Sequence, residues 1–393
     1  MSRSIIKPSI VAVGYNRPDS LKRLLDSLSK AHYPNNVDLI ISIDHSPSNN
    51  CYSIAKDFIW NYGNMEIIHY KTNIGLRKHI INCGQLTSKY ECLIILEDDL
   101  FVSSNFYNFA LQAVNFYKED INIAGISLYL HNIITNTSKY NFPFIPVQTD
   151  YDVFHMKFPS SLGQIWTTEM WESFYSWYKN FNYNEKDMSK LPDSIAKWPE
   201  SSWKKYFLLY MILKDKYFIY PYLSQVTNFG DTGQHQEKNY KFQSQLNTSD
   251  LNKKYSFIES VNTLVKYDQY CEINKEFLCS NKELPREEDF EVDLHGLKEF
   301  RNIEKKMVLT SKSVKNIKKE ILKFGIELKP IEHNVVFNIS GKEIKLVNID
   351  NIKDYKNIKL LKRFDYYYST WMPVKSYFKL AIYKIFSRIV SKL

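Results

Sequence analysis

Residues 93–102 read Leu-Ile-Ile-Leu-Glu-Asp-Asp-Leu-Phe-Val, an apolar run that ends on three consecutive carboxylates, Glu97, Asp98 and Asp99. A row of bulky aliphatic residues suits a strand buried on both faces, as in a parallel sheet. Like charges packed this closely raise one another's pKa and repel unless a cation or hydrogen-bond donors neutralise them. The pattern predicts a divalent cation at the carboxyl edge of a sheet, and an oxygen-only ligand set favours Mg2+ or Mn2+.

The flanking sequence sets that strand in a larger pattern. Apolar runs at 9–14, 38–44, 65–70 and 121–130 read as strands, and amphipathic stretches at 19–31, 51–62, 77–87 and 104–117 read as the intervening helices. Such alternation predicts an α/β domain with a mostly parallel sheet. Ligands of these sheets bind beyond the carboxyl ends of the strands. The loops 15–19, 44–46 and 97–99 leave those ends and should converge on a crevice with an arginine (Arg17), a polar loop and the acidic cluster. That combination suits a nucleoside diphosphate, with a metal bridging its phosphates and Arg17 contacting them. Neither GxGxxG nor GxxxxGK[ST] occurs, which argues against dehydrogenases and P-loop kinases.

Charge and cysteine usage constrain the surroundings. The 393-residue chain carries a net +9, but residues 301–393 hold 21 Lys/Arg against 8 Asp/Glu while the rest is slightly acidic. A basic block of this kind suits an anionic surface. Its final stretch places Phe378, Ile382, Ile385, Ile389 and Leu393 at helical spacing beside Lys375, Lys379, Lys384, Arg388 and Lys392. This predicts a basic amphipathic helix lying in a membrane interface, with no nucleic-acid motif to suggest the other polyanion. Five cysteines without a CxxC pair argue against a disulfide framework and fit a reducing compartment. With no signal-peptide pattern and no run of about 18 apolar residues, the expectation is a cytoplasmic protein, peripheral on the inner face of a membrane. The domain reading is 1–245 (a nucleotide half, 1–130, and an acceptor half, 131–245), an accessory α+β region 246–372 with short β-like runs, and the helix 373–393.

The order of strand, Asn-Arg loop, helix, strand ending in Asp, and apolar strand ending in Glu-Asp-Asp resembles the nucleotide-sugar domain of GT-A glycosyltransferases. It looks most like the N-acetylglucosaminyltransferase I family and bacterial family 2-like relatives. The likeness extends from Ser9 to about His235. Residues 161–171 (Ser-Leu-Gly-Gln-Ile-Trp-Thr-Thr-Glu-Met-Trp) are similar to a Gly-Leu-Gly-Trp segment and its helix. Trp198-Pro199-Glu200-Ser201-Ser202-Trp203 resembles a Trp-Pro-x-x-x-Trp turn, and 220–235 a Pro-to-Phe-Gly-to-His closing loop.

This resemblance implies a GT-A fold and a metal-dependent transferase moving a sugar from a UDP-sugar to a saccharide or lipid-linked glycan acceptor, with inversion, in cell-surface polysaccharide synthesis. By the same carry-over, Arg17 contacts the pyrophosphate, Asp44 hydrogen-bonds the uracil, and Lys78 or a basic neighbour touches the nucleotide. Asp99 is the Mn2+ ligand, Glu97 and Asp98 place the sugar, and His235 contacts diphosphate or metal. The family's base, an Asp after the second Trp, is replaced here by Lys204-Lys205. A protonated lysine cannot accept a proton, so Glu200 becomes the expected general base. Trp166, Trp171, Trp198 and Trp203 could stack on sugar rings or fill the core. The rival reading is a sugar-nucleotide-binding scaffold subunit that lost its base.

Overall fold

The computed structural model describes residues 4–34, 36–134, 142–233, 243–286, 289–299, 303–315, 321–349, 354–356 and 365–368, with 376, 379 and 382 singly. The chain divides into two compact units. The first comprises 1–131 and 148–269; the second comprises 132–147 and 270–393. The first runs past the boundary at 245 that composition suggested, because the segment after 245 is bound both by hydrogen bonds and by apolar contact: Val265 and Tyr267 are buried, and Tyr255 and Phe257 pack against the rings of Phe109, Phe116 and Tyr117. Asn105 donates to the Asp250 carbonyl (2.8 Å), Lys253 pairs with Asp152 (2.7 Å), and Ser260 donates to Asp120 (2.9 Å).

In the first unit the elements are β1 (Ser9–Gly14), α1 (Pro18–Ser29), β2 (Leu39–Ile43), α2 (Asn50–Asp57), β3 (Met65–His69), α3 (Leu76–Gln85), α4 (Thr87–Tyr90), β4 (Cys92–Glu97) and β5 (Leu100–Val102). They continue with α5 (Phe106–Tyr117), β6 (Ile123–Ser127), β7 (Val153–Met156), β8 (Gln164–Thr167), α6 (Thr168–Asn180), α7 (Glu185–Met188), α8 (Asp193–Ala196), α9 (Trp203–Leu213), β9 (Tyr217–Pro221), β10 (Val226–Asn228) and β11 (Lys266–Tyr267). Nine strands form one sheet in the order β11-β7-β9-β6-β8-β4-β1-β2-β3. The half β4-β1-β2-β3 is parallel, and β8 joins it antiparallel to β4. The parallel strands β1, β2 and β4 are buried nearly throughout, which accounts for their unbroken apolar runs.

The apolar run ends at the acidic residues as β4, and Leu100–Val102 form a separate strand, β5. The chain turns at Asp98-Asp99, and β5 leaves the main sheet to pair antiparallel with β10, Asn228 opposite Leu100. A backbone bond from Phe229 to the Asp99 carbonyl (3.0 Å) extends this ladder. The charges could not continue into the apolar interior, so the turn leaves them at the sheet's carboxyl edge.

Trp166 and Trp171 are fully buried and Trp203 nearly so, packed with Phe174 and Phe207 (Phe174–Phe207 centroids 4.3 Å, Trp166–Trp171 4.9 Å). Of the four tryptophans expected either to face sugars or to fill the core, these three are core, and Trp198 alone is half-exposed. All five cysteines are free.

The second unit holds α10 (Lys275–Leu278), β12 (Phe290–Asp293), β13 (Met307–Thr310), β14 (Ser313–Lys315), β15 (Leu322–Phe324), α11 (Glu332–Val336), β16 (Ile344–Asn348) and β17 (Asp354–Lys356). Four of its strands form a sheet β12-β13-β16-β15, and β14 pairs with β17. The expected β region is present, with the short helix α11 in addition. Its buried Asp293 accepts from the backbone of Leu297 (2.7 Å) and Lys298 (2.9 Å) and from the Thr310 hydroxyl (2.7 Å). The terminal basic helix falls almost wholly outside the described residues. Among the described residues no helix is long and apolar enough to cross a membrane.

Gly84 on α3 lies flat against Trp171, where an added Cβ would stand 2.3 Å from the indole. Alanine is the better helix former by about 1 kcal/mol, but overpacking against a fully buried ring costs about 1–3 kcal/mol. Gly84→Ala should therefore lower unfolding free energy in urea titrations; unchanged or higher stability would refute the packing argument.

Candidate active site

Arg17 is the N-cap residue of α1, just beyond β1. Its guanidinium donates to Asp98 Oδ1, to Asp99 Oδ2 (3.2 Å) and to the carbonyl of Asp231 (3.3 Å). Burial opposes its charge, but Asp98 and Asp99 more than restore it, so the guanidinium stays firmly protonated. The Asp231 carboxylate accepts from Ser20 Oγ (2.6 Å) and pairs with Arg23, whose guanidinium lies 3.9 Å from the Phe229 ring centroid. The loop after β10 is thereby fastened to the first two turns of α1.

Burial raises the pKa of Asp98 to about 6 against the pull of Arg17. Glu97 is pushed well above the ordinary carboxylate range, first by burial and then by Asp99 and Asp98, while Arg17 and Lys204 counteract. Lys204, on the first turn of α9, is the reciprocal case. Burial pulls its amine down to about 8, with Glu97 opposing, and Nζ lies over the rings of Phe158 (4.9 Å) and Trp198 (5.8 Å).

Asp99 Oδ1 is buried and has no hydrogen-bond partner among the described residues. A bare carboxylate oxygen beside two further carboxylates fits a hard divalent cation. Among the described residues no three acidic, histidine or cysteine side chains form a metal cage. The protein would thus supply one or two oxygens and leave the rest to phosphate and water, as Mg2+ and Mn2+ sites commonly do. His235, the other expected ligand, lies outside the described residues.

Asp44, at the end of β2, is buried and accepts three backbone hydrogen bonds, from His45 (2.8 Å), Ile74 (2.9 Å) and Gly75 (3.0 Å). It holds the loop between β3 and α3, leaving roughly one of its four acceptor directions for a ligand. Beside it, Tyr52 stacks on His69 (centroids 4.4 Å), with His45 6.4 Å from His69.

In the basic group at 77–79, Lys78 is exposed, Arg77 is half-buried with its guanidinium 5.4 Å from the Tyr206 ring, and His79 is buried against Ser42 (2.8 Å). Burial lowers His79 to about 4, so it is neutral. Arg77 is therefore the more enclosed cation of the trio. Glu200 is largely exposed and binds Lys205 Nζ (2.9 Å) and the Tyr206 hydroxyl. Those bonds lower its pKa, the direction opposite to the one a general base requires.

In the sequence pattern Asp231 is only a member of the closing loop 220–235, and Ser20 and Arg23 carry no motif. The one available signal was the i, i+3 spacing of Ser20 and Arg23, which puts both on one face of α1.

Residues 9–176 match the model of glycosyl transferase family 2, less than half of the chain and all within the first unit. The domain so delimited is a family 2 glycosyltransferase domain of the GT-A α/β class. No curated protein matches the sequence. Among solved structures, the chain is similar to S. aureus TarS residues 1–349 in complex with UDP-GlcNAc (13% identity, TM-score 0.39, 60% of this chain and 62% of that one). It is also similar to GalNAc-T7 with UDP, GalNAc and Mn2+ (12% identity, TM-score 0.37, 56% and 43%). A third is the mannosyltransferase PcManGT from Pyrobaculum calidifontis with GDP-Man and Mn2+ (12% identity, TM-score 0.25, 31% and 35%). The chain thus spans less than two thirds of each of these structures.

A carboxyl group whose folded pKa is raised stabilises the fold most below its unfolded pKa, and that stability is lost as pH rises through the folded value. In EDTA, the wild type should lose roughly 1–3 kcal/mol between pH 5 and pH 8.5 relative to Glu97→Gln. Parallel pH–stability curves for the two proteins would show that Glu97 is not ionised at a cost.

Proposed function

We propose that this chain is a metal-assisted glycosyltransferase that moves a sugar from a UDP-sugar to a glycan or lipid-linked saccharide, with inversion, in cell-surface polysaccharide synthesis. The reading is carried by one observation: the acidic turn at the end of β4, with Arg17 across it and Asp99 Oδ1 bare. UDP as the nucleotide rests on the sequence resemblance at Asp44, whose remaining acceptor direction suits the imide N–H of uracil.

Asp99 would hold Mn2+ or Mg2+, which supplies positive charge at the leaving diphosphate. Arg17 contributes a bidentate cation for the same phosphates. Asp44 fixes the loop against which the base lies, and the stack of Tyr52 and His69 provides apolar ring surface nearby. Trp198 offers its face to a sugar ring, and Glu97 and Lys204 set the charge at the sugar end. The basic terminal helix would keep the enzyme at the cytoplasmic face of a membrane, where lipid-linked acceptors reside.

The test is turnover of UDP-, GDP- and CMP-sugars with Mn2+, Mg2+ or EDTA. One UDP-sugar should be consumed only with metal, and Asp99→Asn should lower turnover roughly 100-fold or more. Metal-dependent binding without turnover across a panel of acceptors would favour a scaffold, and absence of any sugar-nucleotide binding would overturn the reading. Because Glu200 is an exposed ion-paired residue, Glu200→Gln should leave kcat within about threefold. A collapse of kcat with unchanged KM would restore it as the base.

A further inference from the structure

The acidic turn already contains a cation. Arg17 binds Asp98 and Asp99 together, while its side chain is only 21% exposed and those of Asp98 and Asp99 are 5% and 11% exposed. The guanidinium takes one oxygen of Asp99 and leaves the other, buried Oδ1, without a partner among the described residues. A divalent ion at Oδ1 would share one carboxylate with a guanidinium, and in a partly dehydrated site two cations at that separation repel strongly.

We propose that Arg17 is the resident counter-cation of the acidic turn and makes divalent-metal binding at Asp99 conditional on a diphosphate. The inference rests on the glycosyltransferase reading for the diphosphate as ligand. A diphosphate offers the guanidinium a second anionic partner, so Arg17 shifts part of its bonding from Asp99 to phosphate oxygens and the metal takes the carboxylate. The two ligands then bind cooperatively, and the coupling is reciprocal: metal tightens the nucleotide by the same factor as nucleotide tightens the metal.

The loop need not open for this exchange. Asp231 gives Arg17 only its carbonyl, while its carboxylate stays on Ser20 and Arg23. Gly233 lies alongside the guanidinium: an added Cβ there would stand 3.3 Å from Arg17 Nη1, so the absence of a side chain leaves Arg17 that space.

The experiment is Mn2+ binding to the full chain, read by the loss of the free-ion electron paramagnetic resonance signal, with and without UDP. It compares the wild type with Arg17→Gln, Arg17→Lys and Asp99→Asn. Expected are weak Mn2+ binding by the wild type alone, at least tenfold tighter binding with UDP, and no binding by Asp99→Asn. Arg17→Gln should bind Mn2+ without UDP at least tenfold more tightly than wild type, with UDP adding less than threefold. Arg17→Lys, which keeps the charge, should stay conditional and guards against misfolding of the neutral variant. The reciprocal factor, UDP affinity with and without Mn2+, is measured on the wild type alone.

If the wild type binds Mn2+ equally well with and without UDP, or if Arg17→Gln gains nothing, the proposal is overturned while the glycosyltransferase reading stands. If no variant binds Mn2+ under any condition, both fall.

Discussion

The ion pair of Arg17 with Asp98 and Asp99 is the contact on which the geometry of this site depends. Three carboxylates at the end of a buried strand repel one another and lose hydration. A single guanidinium, fixed by the start of α1, neutralises two of them and also binds the carbonyl of Asp231. It thereby joins the ends of β1 and β4 and the loop after β10, segments far apart in the chain. Without that cation the turn would hold uncompensated charge, and the loop would lose a donor from the site's own floor.

The short β5–β10 pairing acts with it. Because β5 leaves the main sheet immediately after Asp99 and pairs with β10, the residues after Asn228 are delivered to the acidic turn by backbone geometry. Arg23 and Ser20 then fix Asp231, and Phe229 lies under the Arg23 guanidinium. A short antiparallel ladder and one carboxylate thus position a loop whose sequence, Asn-Phe-Gly-Asp, would otherwise favour turns of several kinds.

The aromatic region around α6 and α9 follows a different logic. Trp166, Trp171 and Trp203 are consumed by a ring cluster between α6 and α9 and provide rigidity. Trp198 is half-exposed, and Lys204 lies over its ring and over that of the buried Phe158. Lys204 stands where a carboxylate was expected, and with Glu97 it makes a pair in which burial disfavours both charges. This pair sets the local charge between the end of β4 and the start of α9, whereas Glu200 is occupied by Lys205 and Tyr206 on the surface.

Local pattern was enough to read the alternating strands and helices of residues 9–127, the parallel half of the sheet and the acidic edge. Apolar runs of strand length and 3.6-residue periodicity reflect burial that each element needs wherever it ends up, and the resemblance of the acidic motif rests on the same contiguous residues. What lay beyond the sequence depends on long-range contact. Neither the antiparallel pairing of β5 with β10, nor the Arg17–Asp231 latch, nor the burial of three of four tryptophans leaves a periodic trace. The same holds for the occupation of Asp44 by backbone amides of residues 74 and 75, and for the reach of the first unit to residue 269 through hydrogen bonds and ring packing. The sequence determined which chemical groups the chain possesses and which elements carry them. Only the tertiary structure decided which of those groups face one another, because a charge's pKa and pairing are set by neighbours that the chain brings together from distant positions.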